Sequence, residues 1–118
     1  MKVAIVILNY NGRKFLEKFL PIVVANSPEG NIIVADNAST DSSIEFLQLH
    51  FPQIQTIQLA TNLGYAGGYN AALKQIEADW YVLMNSDIAP KAQWLGNLIQ
   101  YLEANPNIKA AQPFILKE

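Results

Sequence analysis

The sequence predicts an α/β protein, a three-layer sandwich around a mostly parallel five-stranded sheet. Five short apolar runs alternate with four segments of helical periodicity, in the order βαβαβαβαβ. That alternation implies parallel strands joined by right-handed crossovers. The first run, Val3 to Leu8, is aliphatic throughout, as a strand covered on both faces must be. With that strand at the centre, the sheet order is 3-2-1-4-5. The 118 residues fit one domain, and 51% hydrophobic with 15% charged content is enough to bury a core.

Each element has its own signal. Asn9-Tyr10-Asn11-Gly12 ends the first strand. Arg13 to Ala25 then places Phe15, Leu16, Phe19, Leu20 and Val23 at amphipathic-helix spacing, with Pro21 expected to kink or divide the helix. Asn26 to Gly30 is a turn cluster, and Asn31 to Ala35 is the second strand. Ser42-Ser43-Ile44-Glu45 has capping-box spacing, with Ile44, Leu47 and Phe51 as an apolar face and Pro52 as a stop. Ile54 to Leu59 alternates with Gln and reads as a half-exposed strand near an edge. A Gly-rich loop from Ala60 to Asn70 leads into a helix reaching about Ile76. Trp80 to Met84 reads as a buried strand. Pro90 marks a helix start, and Trp94, Leu95, Leu98, Ile99 and Leu102 line one face as far as Asn105-Pro106. Ile108 to Gln112 is the fifth strand.

Composition removes several classes of function. The net charge of -2, without a basic run, argues against a nucleic-acid surface. With no Cys there are no disulfides, zinc-thiolate sites or cysteine nucleophiles. No signal peptide and no membrane-length apolar run is visible, so a soluble cytoplasmic domain is expected. His50, the single His, reads as a helix-end residue, and no Gly-x-Ser-x-Gly elbow is present.

The polar residues fall in a pattern. Asn9 and Asn11, Asp36 and Asn37, Asn62 and Gly64, and Asn85 and Asp87 each follow one of the first four strands. In a parallel sheet those ends share one edge, where ligands of open α/β sheets bind. Each set also suits a turn or a helix cap. Asn85-Ser86-Asp87 offers oxygens to a hard divalent cation such as Mg²⁺ or Mn²⁺. Gly64, Gly67 and Gly68 suit either close approach of backbone to a ligand or tight helix–sheet packing. The loop is neither a Walker loop nor the dinucleotide fingerprint.

These four stretches resemble the signatures of family 2 glycosyltransferases. They are Val6 to Gly12, Val34 to Asp41, Asn62 to Asn70 and Leu83 to Asp87, and the likeness is to the rhamnosyltransferase-like branch with the GT-A, Rossmann-like nucleotide-diphospho-sugar transferase fold. The resemblance implies transfer of a sugar from a nucleotide diphosphate sugar to an acceptor hydroxyl, usually with inversion, in cell-surface polysaccharide or glycoconjugate synthesis. It implies that Leu8, Asn9 and Tyr10 hold the nucleoside and that Asp36, beside Asn37, bonds the base. Gly64, Gly67 and Asn70 lie against the donor. Asn85, Ser86 and Asp87 stand at the Asp-x-Asp motif, with Asp87 on the cation and Asn85 as a neutral departure from it. The expected acceptor is a glycan or a lipid-linked glycan.

Similar enzymes are at least twice as long, with the acidic general base in the second half. Residues 1–118 are therefore expected to be the donor-binding half, with the base beyond Glu118, weak or no nucleotide binding and no sugar transfer by this chain alone, and self-association through uncovered apolar surface. A sugar-phosphate nucleotidyltransferase is a rival reading, disfavoured by the single Gly and single Arg of Asn9 to Arg13. A non-catalytic α/β interaction module is the other.

Overall fold

The computed structural model describes residues 1–111. Along them run β1 (Val3–Asn9), α1 (Arg13–Asn26), β2 (Asn31–Asp36), α2 (Ser43–His50), β3 (Gln55–Gln58), α3 (Gly64–Leu73), β4 (Trp80–Asn85) and α4 (Trp94–Ala104). The strands form one parallel sheet in the order β3-β2-β1-β4. β1 lies between two neighbours, which explains its unbroken aliphatic run: Val3 to Ile7 are all buried.

Alternate residues of β1 face two cores. Val3, Ile5 and Ile7 pack with Leu16, Leu20 and Val23 of α1, Phe46 and Leu47 of α2, and Leu95 of α4. Ala4 and Val6 pack with Ile33, Ala35, Ile57 and, from α3, Tyr69 and Ala72. Among the described elements three helices therefore cover one face and α3 covers the other. Small residues at Ala4, Ala35 and Ala72 let α3 lie close to the sheet. Gly68 is the tightest point, since a Cβ there would lie 2.8 Å from Leu8 Cδ1 and 2.9 Å from Asn37 Nδ2. Close packing is thus the role of Gly68.

The structure departs from expectation in several places. Ile108 to Ala111 form no strand: Ile108 N closes a turn onto Asn105 O, and Lys109, Ala110 and Ala111 are exposed. Gln112, the last residue of that expected strand, lies outside the described residues. With four strands described rather than five, β4 is an edge strand rather than a buried one. Trp80, Val82 and Met84 turn towards the core, while Tyr81 and Leu83 are 39% and 51% exposed on the α3 side. α1 runs unbroken through Pro21, which sits exposed with the Glu17 carbonyl, its lost partner, on an exposed turn.

The helix starts differ too. At α2 the expected capping box does not form, because Ser42 makes no side-chain cap bond. Asp41 Oδ1 instead accepts from Ser43 N and Ser43 Oγ. Phe46, not Ile44, leads the buried face of that helix. The Gly-rich segment is not a loop ahead of a helix; it forms the first turns of α3, beginning at Gly64. α4 starts at Trp94, after a left-handed Gln93, and Pro90 lies outside it with its carbonyl taken by Asn26 Nδ2. No helix among the described residues is long and apolar enough to cross a membrane.

The packing at Gly68 has a measurable consequence. Gly68→Ala is expected to destabilise the fold by about 1–3 kcal/mol through overpacking. The urea midpoint should fall while the denaturant slope stays constant.

Candidate functional site

The register brings the strand ends together. Asn9 pairs with Asp36, and Leu8 with Asn85. Asn9 and Asp36 are almost fully buried, and Asn9 Nδ2 donates to Asp36 Oδ1 at 2.9 Å. The Asp36 carboxylate also accepts from Ser39 Oγ at 2.7 Å on Oδ1 and from Ser39 N at 2.9 Å on Oδ2. Ser39 Oγ accepts from Asn11 N. Asn11 Oδ1 in turn accepts from Thr40 N and Asp41 N. The loops after β1 and β2 are thus laced together by side chains too short to reach elsewhere. Asn11 and Ala38 take positive φ angles of 51° and 63° to make this possible. Asn tolerates that conformation; Ala38 is strained by it.

The lacing leaves one buried atom unsatisfied. Asn9 Oδ1 has no partner among the described residues and lies 2.5 Å from where a Gly12 Cβ would stand. Only Gly fits at position 12 without displacing Asn9. At Asp41, burial alone raises the carboxyl, but bonds from Ser43 Oγ, Ser43 N and Arg13 N outweigh it and hold the group below its ordinary value.

A second anchor holds the start of α3. Asn37 is buried, its Oδ1 accepting from Leu63 N at 2.9 Å and its Nδ2 donating to Gly64 O at 2.9 Å. Asn62 Oδ1 accepts from Gly64 N at 2.8 Å. Gly64 has φ +76°, the one glycine with a positive φ. On the next turn Tyr69 is buried and donates to Met84 O at 3.0 Å, joining α3 to β4. Burial, with Tyr65 beside it, pushes the Tyr69 phenol well above its ordinary value, so it stays a donor.

Between these anchors, at the carboxyl ends of the strands, is a hollow of 450 Å³. Leu8 and Tyr10 line it from β1 and its loop, Asn37 and Gly64 from behind, and Asn85, Ser86 and Asp87 from the end of β4. Asp87 is exposed and is the one acidic residue in this wall. Asn62, one of the polar residues expected at this edge, also lines it, as do Phe15 and Tyr65, which were not singled out as site residues. Phe15 read as part of the helix's apolar face, yet it is 49% exposed. That it follows Gly12 by less than a helical turn was the available signal.

The other expected site residues are not in the wall. Asn9 and Asp36 lie behind it, so Asp36, with both oxygens bonded internally, makes no direct wall contact. Gly67 and Asn70 sit along α3 beyond the wall. A larger hollow of 540 Å³ opens at the amino ends of the strands, near Lys2, Gln53 and Gln75. It lies away from the edge where such sheets bind ligands, and no unpaired buried side chain faces it.

Among the described residues no cluster of three or more His, Asp or Glu side chains could hold a metal ion. A single carboxylate still fits Mg²⁺ or Mn²⁺ if waters and phosphate oxygens supply the remaining ligands. Asp87, exposed at the mouth of the hollow, meets that condition.

Residues 4–116 match the family model of Glycosyl transferase family 2, and the chain belongs to that family. An N-acetylglucosaminyl-diphospho-decaprenol L-rhamnosyltransferase of Mycobacterium tuberculosis is 26% identical over 102 residues. That match covers 76% of this chain and 32% of the relative, so the chain spans about a third of the relative's length. Among solved structures, S. aureus TarS 1-349 in complex with UDP superposes with TM-score 0.77 at 24% identity, covering 90% of this chain and 33% of that one. The mannosyltransferase PcManGT from Pyrobaculum calidifontis, in complex with GDP-Man and Mn²⁺, gives TM-score 0.77 at 22% identity, with 91% and 33% covered. These likenesses establish the GT-A type of fold.

Two outcomes follow from the lacing of the first two loops. Asp36→Ala should cost about 2–4 kcal/mol in chemical denaturation, since it strands buried donors of Asn9 and Ser39. Asp41 contributes stability above its unfolded pKa, and that contribution is lost as pH falls through its lower folded value. Asp41→Asn should therefore flatten the fall in urea midpoint below about pH 4.

Proposed function

We propose that this chain is the donor-binding half of a metal-dependent glycosyltransferase. It would move a sugar from a nucleotide diphosphate sugar to an acceptor hydroxyl. The observation that carries this reading is the placement of Asp87. It is an exposed carboxylate at the mouth of a hollow that also gathers Leu8 and Tyr10 from the first strand's end and Gly64 from α3. Family membership and the UDP and GDP-Man in the two structural relatives support the same donor class.

In this reading Leu8 and the half-exposed ring of Tyr10 offer apolar surface to the nucleoside. Asn85 and Ser86 offer polar groups to ribose or phosphate. Asp36 acts from behind, by holding Asn9 and the second loop, and Asn37 acts by holding Gly64. Gly67 and Asn70 belong to the same helix and shape the donor side through it. Asp87 would hold a divalent cation. That ion supplies charge stabilisation for the departing nucleoside diphosphate, more in the transition state than in the ground state.

Asp87 is the one acid in the described wall, so the base that deprotonates the acceptor belongs to the acceptor half. The rhamnosyltransferase relative, named for a lipid-linked glycan, supports an acceptor of that kind and a role in polysaccharide synthesis. The exposed Tyr81 and Leu83 on the β4 edge fit surface that the acceptor half covers, or that a second copy covers in its absence.

The nucleotidyltransferase alternative fares worse. The side chain of Arg13, the residue it needs on triphosphate, lies 3.8 Å from Glu17 and over the Phe46 ring, towards α2. In titrations of the 118-residue chain with millimolar UDP or GDP, added Mn²⁺ should tighten binding. It should also broaden amide signals around Asn85 to Ile88. Asp87→Asn should abolish both effects while the fold persists. Metal-independent binding, or broadening centred elsewhere, would overturn the reading.

A further inference from the structure

Tyr65, 63% exposed, stands at the rim of the hollow. The backbone just before it is tied to Asn37 through Leu63 N and Gly64 O. Its ring meets Tyr69 edge-on, with centroids 5.0 Å apart and planes at 74°. Tyr69 is itself bonded to Met84 O, one residue before Asn85. From this seat Tyr65 Oη donates to Asn85 Oδ1 at 3.3 Å, spanning the hollow from α3 to β4.

A side-chain amide has two unlike ends: its oxygen accepts and its nitrogen donates. A nucleoside diphosphate presents mainly acceptor oxygens along its ribose and phosphates. We infer that Tyr65 is a positioning residue for the donor, occupying the carbonyl end of Asn85 so that its N–H₂ end faces the ligand's oxygens. This rests on the donor-binding reading of the hollow and deepens it. It accounts for Asn85 where the Asp-x-Asp motif has an acid, because a carboxylate has no donor end to orient. It also leaves Asp87 as the one carboxylate among the described wall residues that could hold the cation.

The test compares the 118-residue wild type with Tyr65→Phe, Asn85→Ala and the double variant, titrated with UDP and with GDP in the presence of Mg²⁺. Tyr65→Phe keeps the ring against Tyr69 and removes only the hydroxyl. It should weaken nucleotide affinity about three- to tenfold, the worth of one oriented hydrogen bond. The double variant should bind no more weakly than Asn85→Ala alone, because the hydroxyl acts through that amide. In the wild type the Asn85 side-chain NH₂ signals should shift on nucleotide addition, and this shift should shrink in Tyr65→Phe. Unchanged affinity in Tyr65→Phe, or losses that multiply in the double variant, would overturn the inference and leave the donor reading standing. A wild type that binds neither nucleotide would overturn the donor reading, and the inference with it.

Discussion

A buried amide and a buried carboxylate, Asn9 and Asp36, stand side by side at the ends of two paired strands. The first and second loops at the carboxyl edge of the sheet are built outward from that contact. A carboxylate removed from water must be met by donors, and here it is met by Asn9 Nδ2, Ser39 N and Ser39 Oγ. Those donors fix where the first and second loops leave the sheet. The remaining loop bonds, through Asn11 and Asp41, follow from that geometry. Asp36 is therefore a foundation of the site rather than part of its surface.

The opposite wall is positioned by packing as much as by polarity. Among the described elements α3 is the one helix on its face, and its small residues let it approach the sheet until no Cβ fits at Gly68 beside Leu8 and Asn37. That closeness puts Gly64 and Tyr65 at the rim. Electrostatically the hollow is spare: one carboxylate, neutral amides, hydroxyls and aromatic surface. Such a lining suits a ligand that brings its own negative charge and shares a cation with the protein.

Much of this could be read from the linear pattern, and the failures have identifiable causes. The parallel sheet and the convergence of Asn9, Asp36, Gly64 and Asp87 on one edge follow from strand periodicity and from where polar residues interrupt it, while the order of the first four strands follows only once the first strand is taken as central. What periodicity does not report is how far a side chain lies from the surface. Asp36 and Asp87 both follow apolar runs, yet one is buried and the other exposed. The difference is that Asp36 borders the central strand and Asp87 follows the edge strand. β4 reads as a buried strand because Tyr81 and Leu83 are as apolar as core residues, yet both stay partly exposed, with Tyr81 reaching only the Ile76 carbonyl beyond α3. Capping at α2 was assigned to Ser42, while Asp41, one residue earlier, held the stronger acceptor.

By itself the sequence determined the class of fold, the parallel topology of four strands and the edge on which the polar residues gather. Those depend on local spacing, which the backbone translates directly into faces and ends. The tertiary structure decided which of the gathered residues meet solvent and which brace them. Exposure and hydrogen-bond partnership arise between segments distant in the chain, as when Asn37 grips Gly64 or Tyr65 reaches Asn85. No window along the chain contains both members of such a pair, so only folding assigns one to the wall and the other to its support.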